Sequence, residues 1–123
     1  MKKIIIIDLD NTLTKDDSLS SYKDKKPNIE VVNKLKSYKS LGFTITIFSA
    51  RNMKTFEGNI GIINVKTLPE IIEWLEKNDI PFDEVLVGKP WCGEGGFYVD
   101  DKAIRPQEFV DLSYDEINSL INN

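Results

Sequence analysis

The chain contains no histidine and a single cysteine, Cys92, in 123 residues. Without histidine there is no Ser–His–Asp triad, no histidine general base, no phosphohistidine relay and no His-bearing zinc site. One cysteine makes neither an intrachain disulfide nor a thiolate cluster, and nothing points to an oxidising compartment. The next arginine, Arg105, lies too far along for the short Cys-to-Arg loop of cysteine-based phosphatases. Long hydrophobic runs are missing as well. Met1-Lys2-Lys3 and the four isoleucines that follow resemble the start of a signal peptide, but Asp8 and Asp10 cut the apolar stretch off too early. The expectation is a cytoplasmic protein with no membrane partner. Nor is there an excess of positive charge: 16 Lys and Arg stand against 20 Asp and Glu, a net charge of −4. That balance argues against nucleic acid as a partner, which calls for a basic surface. Catalysis, if present, must run on carboxylates, hydroxyls, lysine, backbone amides and a metal ion.

What is there suits one ordinary domain spanning 1–123, and the 41% hydrophobic content supports a core. Ile4 to Ile7 is continuously apolar and β-branched, the pattern of a strand buried on both faces of a parallel sheet. Residues 14–27, with Asp16, Asp17, Ser18, Ser20 and Ser21, read as an exposed loop. Pro27-Asn28 opens a helix whose apolar residues Ile29, Val32, Leu35, Tyr38 and Leu41 recur every third position, and Gly42 stops it. Phe43 to Phe48 is a second strand, and 53–66, with Gly58 and Gly61, a long loop. Thr67 and Glu70 form a capping box for a helix running to about Asn78. Glu84 to Val87 and Phe97 to Val99 are two further strands, separated by the Cys92–Gly96 loop. Ser113 and Glu116 cap a last helix, with Tyr114, Ile117, Leu120 and Ile121 facing inward. This alternation predicts an α/β fold: a three-layer sandwich with a mostly parallel central sheet.

Ligands in such sheets bind beyond the carboxyl ends of the strands. Each expected strand ends there in a chemically capable residue: Asp8, Ser49, Lys89 and Asp100. Asp8 and Asp10, two apart, lean to one side, and Asp100-Asp101 end another strand. Carboxylates gathered in one crevice repel one another, and a hard divalent cation, Mg²⁺ above all, relieves that repulsion. Lysine, hydroxyl and backbone donors beside the metal suit a phosphoryl group, with a carboxylate as nucleophile.

Asp8-Leu9-Asp10-Asn11-Thr12, Ser49 after a hydrophobic strand, Lys89-Pro90 and Asp100-Asp101 resemble, in order, the four motifs of the haloacid dehalogenase superfamily. The stretches Ser49–Met53, Val87–Gly93 and Tyr98–Asp101 are similar to its small phosphatases of capsule polysaccharide biosynthesis. The resemblance implies a Rossmann-like fold and a Mg²⁺-dependent phosphomonoesterase. It makes Asp8 the nucleophile and a metal ligand. Asp10 becomes the acid/base, with its backbone carbonyl on the metal, and Thr12 holds Asp10. Ser49 and the Ala50 amide bind the phosphoryl group, and Lys89 neutralises it. Asp100 ligates the metal and Asp101 supports it. Asn11 stands where many members have glycine. Arg51, Asn52 and Trp91 are expected on the substrate side, Trp91 together with the 53–66 loop and the Gly93–Gly96 loop. Neither Thr14–Pro27 nor Arg51–Thr67 is long enough for a cap domain, so the site should be open. Cap-less members accept bulky substrates or are covered by a neighbouring subunit of a homo-oligomer. The expected substrate is a phosphorylated sugar or a small, sugar-linked alcohol phosphate.

Plainer readings stand beside these. Asp8 and Asp10 alone could be a solvated turn, Lys89 an exposed turn lysine and Ser49 a turn cap; their joint placement at strand ends favours chemistry. Cys92 reads as a spectator, Arg105 as a surface charge, Trp74 as core edge and Lys23–Lys26 as a solvated loop. A receiver-like phosphoacceptor module is also α/β, but it needs its acceptor Asp on the middle strand, where this chain has Ser49. A catalytically weak regulatory homologue would show only trace hydrolysis of phosphate esters.

Overall fold

The computed structural model describes residues 2–16 and 19–122. Met1, Asp17 and Ser18, which the sequence reading included, lie outside the described residues. The chain forms two compact units, Met1–Trp91 and Cys92–Asn123.

The first unit is built on three parallel strands, β1 (Ile4–Ile7), β2 (Thr44–Ser49) and β3 (Glu84–Val87), in that order across the sheet. Ile7 pairs with Ile47, and Ser49 with Val87, so the strand ends reach the same edge together. Being β-branched, Ile45 and Ile47 suit the pleat, and both are fully buried in the central strand. Burying each such side chain stabilises the fold by about 1.5–3 kcal/mol. The expectation that Ile4–Ile7 is buried on both faces is corrected. Ile4 and Ile6, which share one face of β1, are exposed, and Ile7 on the other face is buried.

Helix α1 (Ile29–Ser40) buries Val31, Val32, Leu35 and Tyr38. Ile29 and Leu41, expected in its stripe, are exposed. A spacing of three falls about 60° short of a full turn at each step, so residues at the ends of such a series rotate off the face. Val31, Leu35 and Tyr38, at i, i+4 and i+7, hold it instead. The chain leaves α1 through Gly42 at φ +94°, a left-handed turn that glycine permits. Tyr38 then meets Phe43 edge to face, ring centroids 5.0 Å apart.

The expected loop over 53–66 contains a helix, α2 (Ile60–Lys66). Its start is made by Asn59, whose side chain accepts from the Ile62 amide at 3.1 Å. Such a cap supplies the entry that the irregular apolar pattern did not reveal. Helix α3 (Leu68–Lys77) follows at once and buries Ile71, Trp74 and Leu75. Thr67 precedes it but makes no side-chain cap; its hydroxyl accepts from Asn52 Nδ2 at 2.9 Å. Trp74 is core rather than core edge, 2% exposed, with its indole N–H donating to the Lys25 carbonyl at 2.9 Å.

The second unit holds helices α4 (Pro106–Asp111) and α5 (Tyr114–Ile121). Phe97–Val99, expected as a fourth strand, is not one. Phe97 and Val99 are 79% and 88% exposed. Strand propensity without a neighbouring ladder does not make a strand, and the described residues of this unit contain none. The capping box at α5 forms as read, Ser113 accepting from the Glu116 amide and Glu116 accepting from the Ser113 amide. Within α5 Ile117 and Ile121 are half-buried and Tyr114 and Leu120 exposed, and among the described residues of this unit the buried one is Phe109 of α4. Neither stretch considered for a cap holds a domain: among their described residues, one carries a 3-10 turn, Tyr22–Asp24, and the other α2.

Candidate active site

The loop after β1 is wound tightly around one acceptor. The Leu9 carbonyl takes hydrogen bonds from the amides of Thr12, Leu13 and Thr14, and Leu9 and Leu13 are fully buried beneath it. Asn11 adopts φ +61°, the left-handed region that asparagine and glycine tolerate best. Asparagine holds that conformation with less strain than most other side chains. The apolar floor fixes the backbone and leaves Asp8 and Asp10 half-buried at the strand end.

Asp8 faces Lys89, whose Nζ lies 3.8 Å from Asp8 Oδ1. Two features deliver Lys89 to that place. Gly88 takes φ +86°, and a Cβ there would lie 2.9 Å from the Ile60 side chain. The Lys89 amide also donates to the Ser49 carbonyl at 3.2 Å, tying the residue after Gly88 to the end of β2. Thr12 donates its hydroxyl to Asp8 Oδ2 at 3.3 Å, whereas the sequence reading had it holding Asp10. Burial pushes the Asp8 carboxyl above the usual carboxylate range. The Lys89 charge, the Leu9 amide and the Thr12 hydroxyl oppose that rise, while the Asp10 charge adds to it.

Ser49 is buried, and its Oγ accepts from the Arg51 amide at 3.0 Å, closing the turn that carries Ala50. Arg51 is buried too, 4% exposed, and is no surface charge. Its Nε and Nη2 donate to the two oxygens of Asp10 at 3.2 and 2.8 Å. The Tyr22 ring lies over the guanidinium, 4.1 Å from Cζ. Neither the Arg51–Asp10 fork nor Tyr22 was read from the sequence. A lone aromatic in a polar loop was the available signal. Asn52, at φ +64°, ties the end of this turn to Thr67.

The first unit therefore gathers Asp8, Asp10, Thr12, Ser49, Arg51 and Lys89 through these contacts, and Ala50 lies within the same turn. Trp91, half exposed, ends this unit. Asp100, Asp101 and the Gly93–Gly96 loop belong to the second unit. There Asp100 and Asp101 are exposed, and Asp100 Oδ1 accepts from the Lys102 amide at 2.9 Å, an Asx turn. Among the described residues no three acidic or cysteine side chains are gathered as a ready metal site.

A Vibrio cholerae protein, known from its crystal structure as an MCSG target, matches at 52% identity with a TM-score of 0.94, over 98% of this chain and 97% of that one. The two proteins belong to one family. A chain from the structure of the Pnkp1/Rnl/Hen1 complex matches at 25% identity with a TM-score of 0.51, covering 71% of this chain and 28% of that one. The similarity supports a small α/β domain with a parallel three-stranded sheet. No family model matches the sequence, and neither does any curated protein. In this chain the candidate site rests on the first unit: two aspartates on one turn, each facing a cation.

Proposed function

We propose that the protein is a phosphomonoesterase of the haloacid dehalogenase type. The observation that carries this reading is the Asp8–Lys89 approach of 3.8 Å at the carboxyl ends of β1 and β3, on either side of the β2 end that bears Ser49. An Asp8 oxygen attacks phosphorus as the P–O bond to the alcohol breaks, and the bonding pair leaves with the alkoxide. Asp10 gives that alkoxide its proton. Asp10 then takes a proton from water, whose oxygen attacks the acyl phosphate, releasing inorganic phosphate and regenerating the Asp8 carboxylate. Lys89, the Ser49 hydroxyl and the Ala50 amide supply positive charge and donors for the transferring group.

Mg²⁺ fits the donors present in the first unit. The Asp8 carboxylate and the Asp10 carbonyl are hard oxygens on one turn, and Mg²⁺ commonly takes one or two carboxylates with water in its other positions. Burial leaves the Asp8 carboxyl poorly stabilised as an anion, which a bound cation relieves. When bound, Mg²⁺ supplies charge neutralisation at the phosphoryl oxygens.

The substrate reading is a phosphorylated sugar, or a small alcohol phosphate linked to a sugar, used in capsule or other surface polysaccharide synthesis. A cytoplasmic setting, a homo-oligomer covering the site and the absence of nucleic-acid partners complete the proposal. The test is a screen of sugar, polyol and amino-alcohol phosphates with Mg²⁺. Asp8→Asn should lower kcat by at least about 10⁴-fold, as loss of a nucleophile does. EDTA should abolish turnover and added Mg²⁺ restore it. Substantial hydrolysis surviving either treatment refutes the reading.

A further inference from the structure

Asp10 has two tasks in the reaction proposed above, and both demand that one carboxylate be aimed at an oxygen atom outside the protein. A lone aspartate on a turn rotates about χ1 and χ2 at little cost. In this protein the rotation is blocked. Arg51 Nε and Nη2 grip the two Asp10 oxygens in a side-on fork, which sets the carboxylate plane as well as its position. The fork is itself held. The Arg51 side chain is 2% exposed, its amide is fastened to Ser49 Oγ, and Tyr22 covers the guanidinium face. Each carboxylate oxygen has two lone-pair sites, so one on each stays open for the proton that Asp10 passes on.

Pairing also decides what Arg51 does not do. With Nε and Nη2 spent on Asp10 and one face under Tyr22, its guanidinium has few donors left for a substrate. We infer that Arg51 is a positioning residue that acts through Asp10, with Tyr22 as its brace, rather than a residue that reads the substrate. This rests on the phosphomonoesterase reading and makes a claim which that reading does not contain. Losing Arg51 should harm proton delivery to the leaving group and spare the attack on phosphorus.

Leaving-group dependence separates the two. p-Nitrophenolate leaves without a proton, whereas the alkoxide of glycerol 2-phosphate needs one. With Mg²⁺ present, Arg51→Lys keeps the charge and loses the fork. It should lower kcat/KM for glycerol 2-phosphate by about 10²-fold, within the range that a placed general acid contributes, and for p-nitrophenyl phosphate by less than about 3-fold. In an Asp10→Asn background the same substitution should cost less than about 2-fold on either ester, since coupled residues are not additive. Should Arg51→Lys fail to fold, Tyr22→Leu at its half-exposed site should give the same selective loss at about 3- to 10-fold, the scale of a cation–π contact. An equal loss on both esters, no loss on glycerol 2-phosphate, or a full additional loss in the Asp10→Asn background overturns the inference. A wild-type protein that hydrolyses neither ester defeats the underlying reading first and the inference with it.

Discussion

Replacing Lys89 with methionine keeps the length of the side chain and removes its charge. Nζ stands 3.8 Å from Asp8 Oδ1. At that distance unit charges attract by about 1 kcal/mol at the dielectric constant of water and about 4 kcal/mol at an effective value of 20. Solvent reaches 36% of the Asp8 side chain and 21% of that of Lys89, so screening places the pair in the lower part of this range. A loss of about 1–2 kcal/mol corresponds to about 5- to 30-fold in an equilibrium. The direction follows from the charges. The Asp8 carboxyl already lies above its ordinary value because of burial, and Lys89 is the largest influence pulling it back. Without Lys89 it must rise further. Since Asp8 attacks as the anion, the acid limb of kcat/KM against pH, which reports the free enzyme, should move to higher pH in Lys89→Met. A fall at all pH values should accompany it, from the lost contact with the phosphoryl group. The assay is p-nitrophenyl phosphate hydrolysis with Mg²⁺ across the acid range. A uniform fall with an unmoved limb, or a limb displaced to lower pH, would refute the electrostatic coupling.

Asp8→Asn should stabilise the metal-free protein at neutral pH, because an acid whose folded pKa is raised holds its proton more tightly folded than unfolded. The wild type then loses stability as pH rises past the ordinary value of 3.8, and the advantage of Asn should vanish below it; melting temperatures at the two pH values with EDTA check this. At Asn11, φ +61°, glycine should be nearly neutral while valine should cost at least about 1–2 kcal/mol, measured by urea unfolding. Trp74→Phe should cost about 1–3 kcal/mol, since the Lys25 carbonyl loses its indole donor, and equilibrium denaturation reads it directly.

Much of the first unit was legible in the amino-acid order because local chemistry decides it. The run Glu84–Val87 is a strand with the bounds its β-branched residues announced, and Gly42 stops α1 where a left-handed turn is needed. The pairing of Asp8 with Lys89 follows from strand ends in register, which alternation of strands and helices already implied. Helix α2 was hidden because its start depends on a single asparagine cap rather than on an apolar period. The stretch Phe97–Val99 has strand-forming residues, but hydrogen bonding to a neighbour lies beyond what propensity encodes. Arg51 shows the limit most plainly. Its charge and its place beside Ser49 are sequence facts, whereas its burial, its fork on Asp10 and its stack under Tyr22 join residues 41 and 29 positions apart. Residue types and their spacing thus determined which chemistry the strand ends offer. Tertiary packing alone decided that Arg51 turns inward onto Asp10, because a guanidinium is buried only where a charged partner meets it.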